Sequence, residues 1–193
     1  MTVSGESVSA DVKAAEEYLA TLDKLIVEEN YLPEQIFILD ETSLFWKRMP
    51  ERTFTHKEAR SMPGFEAFKD RITVLFGGIA AGYKLKRYVI WHSENHKAFK
   101  HINKLTLPVY YRSNKKSWMT QLLFQDALLN CCASEMEKYC LENNIPFKIL
   151  LILDNAPRYP FIGDLHPNIK MVFLPLHTTS FIQPMVQGVT ATF

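Results

Sequence analysis

The spacing of hydrophobic and polar residues along the chain predicts two long helices. Apolar residues between positions 14 and 26 recur every three or four residues, which predicts an amphipathic helix over 11–29 that is stopped by Pro33. A second helix is predicted over 117–143, with Ser117 as its N-cap residue. Its apolar stripe consists of Met119, Leu122, Leu123, Leu128 and Leu129.

Short apolar segments between these helices predict strands. Residues 71–80 and 84–91 lie on either side of Ala81-Gly82, a pattern that predicts a β-hairpin. Residues 107–111 predict a further short strand. The segment 41–70 carries many charges and two prolines and fits no regular element, and a loop of that length is usually functional.

Two further apolar runs share one design. Residues 35–40 (QIFILD) and 147–154 (FKILLILD) each predict a strand buried on both faces that ends in an aspartate, Asp40 or Asp154. Residues 169–174 form a third run of this kind. Strands, a long helix and two more strands in this order predict an α/β fold around one mixed sheet.

Asp40 and Asp154 are the candidate metal ligands. If their strands are parallel neighbours, the strands lie about 4.8 Å apart, and two carboxylates that close repel unless a cation lies between them. Mg²⁺ binds one or two carboxylates together with water and phosphate oxygens, and paired ions assist phosphoryl transfer. An aspartate after a strand is also a common turn residue, and spacing alone favours that alternative.

Charge is distributed unevenly, although the net charge of the 193 residues is only +1. Residues 1–42 carry −8, residues 43–116 carry +11 and residues 117–193 carry −2. A basic segment with interleaved aromatic residues is typical of nucleic-acid binding, whereas a solvated surface with rings packed on strand faces is the alternative. The candidate nucleic-acid-binding residues are Lys84, Lys86, Arg87, Lys97, Lys100, Lys104, Arg112, Lys115 and Lys116.

Composition excludes several other classes of protein. Hydrophobic residues make up 47% and charged residues 22%, as in a globular domain, and no apolar run approaches the roughly 20 residues of a membrane span. The N-terminus lacks the pattern of a signal peptide. Cysteines at 131, 132 and 140 form no paired framework, so no disulfide is expected. Three histidines between 92 and 101 could suggest a metal site, but surface histidines are the simpler interpretation.

Several separate motifs occur in the order of one known family. The chain resembles the DDE domain of Tigger-type transposable-element-derived proteins of the pogo group, whose relatives include jerky-like proteins and centromere protein B. The match extends from about Tyr18 to Phe193. It is carried by DETSLFWKRMPERTF, SMPGFEAFKDRITVLFGG, SWMTQLL, PFKILLILDNAP and LPLHTTSFIQPMVQG.

The resemblance implies an α/β, RNase H-like fold. Its mixed sheet has three antiparallel strands first, followed by helix, strand, helix and strand, and we expect truncation at the C-terminal helix. We expect residues 1–30 to form a helical lead-in and residues 31–193 to form the DDE domain. The helix-turn-helix domains that precede this domain in the family are expected to be missing.

The resemblance also implies a site of three carboxylates that hold Mg²⁺ for DNA cleavage. The first two match Asp40 and Asp154, but the third position is occupied by Val186, which has no lone pair to offer a metal. No aspartate or glutamate follows Asp164, and Arg158 stands where the family usually has glycine and could neutralise Asp154. The site is therefore expected to be degenerate, with Mg²⁺ bound weakly or not at all.

The sequence thus predicts a nuclear, transposase-derived protein that binds DNA weakly and without sequence preference. We expect it to be inactive as an enzyme and not to associate with membranes, and the sequence names no protein partner. One alternative is a metal-dependent DNA endonuclease or transposase with residual activity. A second alternative is an interaction module or relic without activity.

Overall fold

The computed structural model describes residues 5–45, 71–155 and 165–175 of the chain. They form three α-helices and six strands. In chain order, these are α1 (Gly5–Glu28), β1 (Ile36–Phe45), β2 (Arg71–Gly78), β3 (Tyr88–Trp91), β4 (Tyr110–Ser113), α2 (Gln121–Asp126), α3 (Ala133–Glu142), β5 (Ile149–Leu153) and β6 (Ile169–Phe173). No helix in this part of the chain is long and apolar enough to cross a membrane.

The six strands form one mixed sheet in the order β4-β3-β2-β1-β5-β6. β2 and β3 are antiparallel, whereas the pairs β3 and β4, β1 and β5, and β5 and β6 are parallel. This confirms the predicted α/β fold around a mixed sheet. The apolar side chains of β5 are all buried, as its continuous hydrophobic run predicted.

The chain divides into two compact units. We call them the acidic unit and the basic unit because their described residues carry net charges of −8 and +7. The acidic unit comprises Met1–Asp40, Phe76–Leu85 and Thr120–Phe193, and the basic unit comprises Glu41–Leu75 and Lys86–Met119.

The first predicted helix is present and longer than expected. α1 ends at Glu28, where Asn30 adopts φ 55° and the backbone N–H of Tyr31 donates to the Ile26 carbonyl at 3.0 Å. This left-handed residue satisfies carbonyls at the helix end. The prediction that Pro33 stops the helix is therefore wrong, since the asparagine ends it three residues earlier.

The predicted start of the second helix is also wrong. α2 begins at Gln121, and Thr120 is its N-cap, with a side-chain oxygen that accepts from the Leu123 N–H at 3.3 Å. Ser117 is instead fully buried at φ 51°. The Asn114 side-chain oxygen accepts from the backbone N–H of Trp118 at 3.1 Å, which holds this residue in a tight loop before the helix.

The predicted apolar stripe of that helix is only partly buried. Met119 and Leu128 lie in the core, but Leu122 is 76% exposed and Leu129 is 38% exposed. The residues Ala127–Cys132 form a π-helical segment between α2 and α3. Because a π-helix changes the angular step between residues, spacing at 3.6 residues per turn assigns the wrong face to Leu129, which lies within it, whereas Leu122 precedes it.

Two strands of the sheet differ in extent from the sequence predictions. β3 starts at Tyr88, whereas Lys84 forms only an isolated antiparallel bridge with Gly78. β4 occupies Tyr110–Ser113 rather than 107–111, and it pairs in parallel with β3. Pro108 has no N–H to donate, which fits the late start of this strand.

The cysteines lie in the packed interior of the acidic unit. Cys131, Cys132 and Cys140 are free thiols and all three are buried. Burial raises the pKa of the Cys132 thiol, so this side chain stays protonated and unreactive.

A tight backbone approach in the turn between β2 and β3 generates a stability prediction. A Cβ atom on Gly78 would lie 2.6 Å from the backbone carbonyl oxygen of Tyr83, which cannot rotate away. We expect Gly78→Ala to lower the free energy of unfolding by about 1–3 kcal/mol, because overpacking forces the backbone to shift. Urea unfolding measures the change. Ala81→Ser at the exposed turn is the matched control, and equal effects of the two substitutions would contradict the prediction.

Candidate metal site and basic surface

Asp40 lies in β1, and Asp154 directly follows β5. These two strands pair in parallel with Ile38 level with Ile152, and each aspartate lies two residues further along its chain segment. Neighbouring strands are about 4.8 Å apart, and level residues of parallel strands point to the same face of the sheet. The expected parallel pairing of their strands is confirmed. The role of the pair as metal ligands stays a prediction.

One detail of the expected geometry is wrong. Asp154 directly follows the last residue of β5, but Asp40 does not end its strand, because β1 continues to Phe45. The backbone of Asp40 therefore lies within a regular strand, with strand residues before and after it. It is buried, with 8% of the residue exposed, and Asp154 is partly exposed.

Two level carboxylates fit a hydrated Mg²⁺ ion, which often takes only one or two protein ligands. Within residues 5–45, 71–155 and 165–175, no three His, Cys, Asp or Glu side chains form a group that could hold a metal ion. Val186 and Arg158 lie outside the described residues, so the third position of the site and its expected cationic neighbour stay predictions. The described pair can anchor an ion at two points, with its other ligands coming from water or phosphate.

Glu41, the next residue of β1, is engaged elsewhere. Strand alternation turns it to the face opposite Asp40. Its carboxylate lies 4.0 Å from the guanidinium of Arg71, and the two side chains are 5% and 21% exposed. The Arg71 Nε also donates to the Thr73 hydroxyl at 3.3 Å, and its guanidinium lies 5.3 Å from the centre of the Trp118 ring. Glu41 is therefore part of a polar network in the basic unit.

Sequence reasoning missed Arg71 as a member of this network. Its position two residues before Thr73 in β2 was the available signal, because residues i and i+2 of a strand share a face. Trp118 is half exposed, and the Lys116 ammonium lies 5.5 Å from its ring centre on the same loop. Two cations thus accompany one exposed indole.

Eight of the nine candidate nucleic-acid-binding residues lie in the basic unit, and Lys84 lies in the acidic unit. The described residues of the basic unit contain nine lysines and arginines and only two glutamates, Glu41 and Glu94. The positive charge that is concentrated in the middle of the sequence is therefore also concentrated in one compact unit of the fold. Such a concentration of charge attracts polyanions.

The basic residues differ in their freedom to contact a ligand. Lys97, Lys100 and Lys115 are exposed. Arg112 is partly buried, its Nη1 donates to the Tyr111 carbonyl at 3.0 Å, and its guanidinium lies 5.6 Å from the Tyr88 ring centre. Arg112 therefore supports the sheet as well as carrying charge.

The aromatic residues interleaved with these lysines have two different roles. Tyr88 is buried in the sheet, where it cannot stack on a base, so the packing alternative holds for this ring. Tyr110 and Tyr111 are partly exposed, and the Lys86 ammonium lies 4.7 Å from the Tyr110 ring centre. These two rings are accessible from solvent.

Comparisons with curated proteins give relatives over nearly the whole chain. The human "Jerky protein homolog" is 32% identical over all of this chain, and human "Tigger transposable element-derived protein 7" is 33% identical over 96% of it. The fission yeast (Schizosaccharomyces pombe) "ARS-binding protein 1" is 28% identical over 80% of the chain. The chain spans about one third of the length of these relatives, with coverage of 34%, 35% and 29%.

Solved structures with the same fold are those of a transposase. The catalytic domain of Mos1 mariner transposase aligns with all of this chain and 72% of its own, with a TM-score of 0.53 at 10% identity. The Mos1 paired-end complex with Mn aligns with all of this chain and 49% of its own, with a TM-score of 0.53 at 11% identity. This similarity confirms the RNase H-like fold.

The sequence profile described as "DDE superfamily endonuclease" matches residues 69–193, about two thirds of the chain. The matched region includes Asp154, the position of Val186 and most of the basic unit. The chain belongs to the DDE superfamily endonucleases and, among them, to the Tigger- and pogo-type transposase-derived proteins.

Proposed function

We propose that this chain is a DNA-binding DDE domain whose metal site no longer supports catalysis. The observation that carries the proposal is the concentration of positive charge in one compact unit, with nine basic and two acidic residues among those described. Lysine contacts with phosphates supply affinity that does not depend on sequence. We therefore propose weak, non-specific binding to duplex DNA.

The relatives support DNA as the polyanion. One bears the name "ARS-binding protein 1", and Mos1 transposase has been solved as a "paired-end complex with left transposon end". A chain that binds DNA as proposed would act in the nucleus, and we propose nuclear localisation on that ground. We also propose residues 31–193 as the DDE domain, with residues 1–30 as a helical lead-in.

The proposed loss of catalysis rests on the third position of the site. Asp40 and Asp154 would hold a divalent ion, and Mn in a Mos1 complex supports a metal of this kind for the fold. Two-metal catalysis needs a fixed set of ligands around both ions, and Val186 contributes none. The pair retains the geometry for weak binding of Mg²⁺ without the constraint needed for strand cleavage.

A metal-dependent endonuclease with residual activity is the second candidate. The observation that favours it is the level placement of Asp40 and Asp154 on adjacent strands, which preserves two of the three family positions. A module that neither cleaves nor binds DNA is the third candidate. Cleavage and binding assays separate the three.

The degenerate site predicts that the native chain does not cleave DNA. Supercoiled plasmid incubated with the protein in Mg²⁺ or Mn²⁺ should show no nicking above that of Asp40→Ala. Val186→Asp restores a carboxylate at the third position and should bind Mg²⁺ more tightly than the native chain, as measured by calorimetry. Metal-dependent nicking by the native chain that disappears in Asp40→Ala would favour the endonuclease instead.

Two carboxylates level on adjacent strands also predict a stability effect. The variant Asp40→Asn removes one of the two carboxylates that would hold the ion. Mg²⁺ should stabilise the native chain more than the variant, since binding to the folded state adds stability. Asp23→Asn at an exposed helix position is the control, and urea unfolding with and without Mg²⁺ measures the difference. Equal stabilisation of the native chain and Asp40→Asn by Mg²⁺ would contradict the prediction.

The basic unit predicts salt-dependent binding to duplex DNA of any sequence. Affinity should fall steeply with salt, and Lys97→Gln combined with Lys100→Gln should reduce the slope of log K against log salt by about 2, since each phosphate contact contributes roughly 0.9. Fluorescence anisotropy measures both quantities. Lys138→Gln is the matched control, because this exposed lysine lies in the acidic unit 3.7 Å from Glu142. Absence of binding at low salt would leave only the third candidate.

A further inference from the structure

The basic unit contains an aromatic cavity that the metal site and the lysine contacts do not explain. Its volume is about 460 Å³, within the range of small-molecule pockets. Four of its lining residues are Trp91, His96, Phe99 and Tyr111, and the other three are aliphatic. The lining therefore offers ring faces and edges but almost no hydrogen-bonding groups.

The four rings form a connected wall. The His96 ring centre lies 6.0 Å from that of Trp91 and 6.0 Å from that of Phe99, with interplanar angles of 85° and 65°. Phe99 and Tyr111 meet at 5.0 Å and 80°. Such edge-to-face contacts hold rings in place without covering all of their faces.

Backbone structure fixes these rings before any ligand binds. β3 supplies Trp91 and β4 supplies Tyr111, while a short 3-10 helix, Lys97–Phe99, supplies Phe99. The Tyr111 hydroxyl donates to the Ser93 carbonyl, and the Phe99 N–H donates to the His96 carbonyl at 2.9 Å. Binding here would therefore cost little ordering of side chains.

Three lysines, Lys97, Lys100 and Lys104, lie next to lining residues in sequence or in space, and we call them the rim lysines. Lys97 and Lys100 flank Phe99 in sequence, and both are exposed. The Lys104 ammonium lies 5.8 Å from the Tyr111 ring centre and donates to the Asn95 side-chain oxygen at 3.0 Å. This rim repels a cationic ligand, such as a methylated lysine, and attracts an anionic one that carries a flat apolar group.

We propose that this cavity receives one unstacked base of single-stranded DNA, with the rim lysines against the adjacent phosphates. The inference rests on the DNA binding proposed above and adds to it a preference for single strands. Stacking accepts any base because every base has a π-face, and a lining without polar groups reads no base edge. A paired base inside a duplex cannot reach the cavity, so the duplex uses the lysines alone.

The test measures the affinity of the full chain for a labelled 12-nucleotide oligothymidine strand and for a duplex of equal length. Phe99→Ala should weaken single-strand binding roughly 5- to 150-fold, the range for loss of one base stack, and change duplex binding less than twofold. Phe99→Leu keeps apolar volume but has no π-face, so it should also weaken single-strand binding. Leu105→Ala is the matched control, because Leu105 is 87% exposed and does not line the cavity.

A change in the ligand provides a test that does not depend on folding of the variants. The native chain should bind an abasic strand of the same length more weakly than oligothymidine by a similar factor, because the phosphates are equal in number and only the bases are lost. Equal affinity for both strands would overturn the proposal, even where duplex binding is retained.

The remaining outcomes are also decisive. Salt-dependent duplex binding with no sensitivity of single-strand binding to Phe99 would overturn this inference and leave the proposed function intact. Native single-strand affinity in Phe99→Leu together with a loss in Phe99→Ala would show that the cavity needs apolar volume and not a π-face, and it would overturn the stacked base. Absence of binding to both nucleic acids would overturn the inference and the proposed function together.

Discussion

The candidate site depends on one constraint, the parallel pairing of β1 with β5. All five residues of β5 are buried, so this strand must lie inside the sheet with a neighbour on each side. In β1, Phe37 and Leu39 are buried and alternate with the partly exposed Ile36 and Ile38, so a slip of one residue in the pairing would turn the buried pair to the more exposed face. The register is therefore fixed by the hydrophobic residues, and it carries Asp40 and Asp154 to the same level whether or not a metal binds.

The buried strands could be predicted from the sequence because they follow from long apolar runs, whereas the RNase H-like fold and the neighbouring placement of β1 and β5 followed from the family resemblance. Residues 35–40 and 147–153 leave few alternatives to buried strands. The start of α2 could not be predicted, because Ser117 is a good N-cap in isolation, and contacts with Asn114 and with the Thr73 hydroxyl hold it in a left-handed loop. The exposure of Leu129 was missed because the π-helical segment that contains it leaves no clear trace in the sequence spacing.

The basic surface was predictable in charge but not in detail. The net charge of residues 43–116 identifies where lysines and arginines are concentrated. It does not distinguish Arg112, whose guanidinium packs near the Tyr88 ring in the sheet, from the exposed Lys97. The aromatic cavity was likewise hidden, since its rings come from two strands and a 3-10 helix that meet only when β3 and β4 pair. The alternation of hydrophobic and polar residues along one strand does not show which residues of other segments it will contact.

The two sites respond differently to substitution, and this accounts for the combination proposed for the chain. Metal-dependent cleavage requires every ligand in a fixed geometry, so the proposed loss of one carboxylate, at Val186, would be enough to remove it. Phosphate binding sums many weak contacts, and the loss of one lysine among nine basic residues costs only its own share. Binding to DNA therefore tolerates substitutions that abolish catalysis, and a DDE domain that loses its chemistry retains the charge that attracts its polyanion.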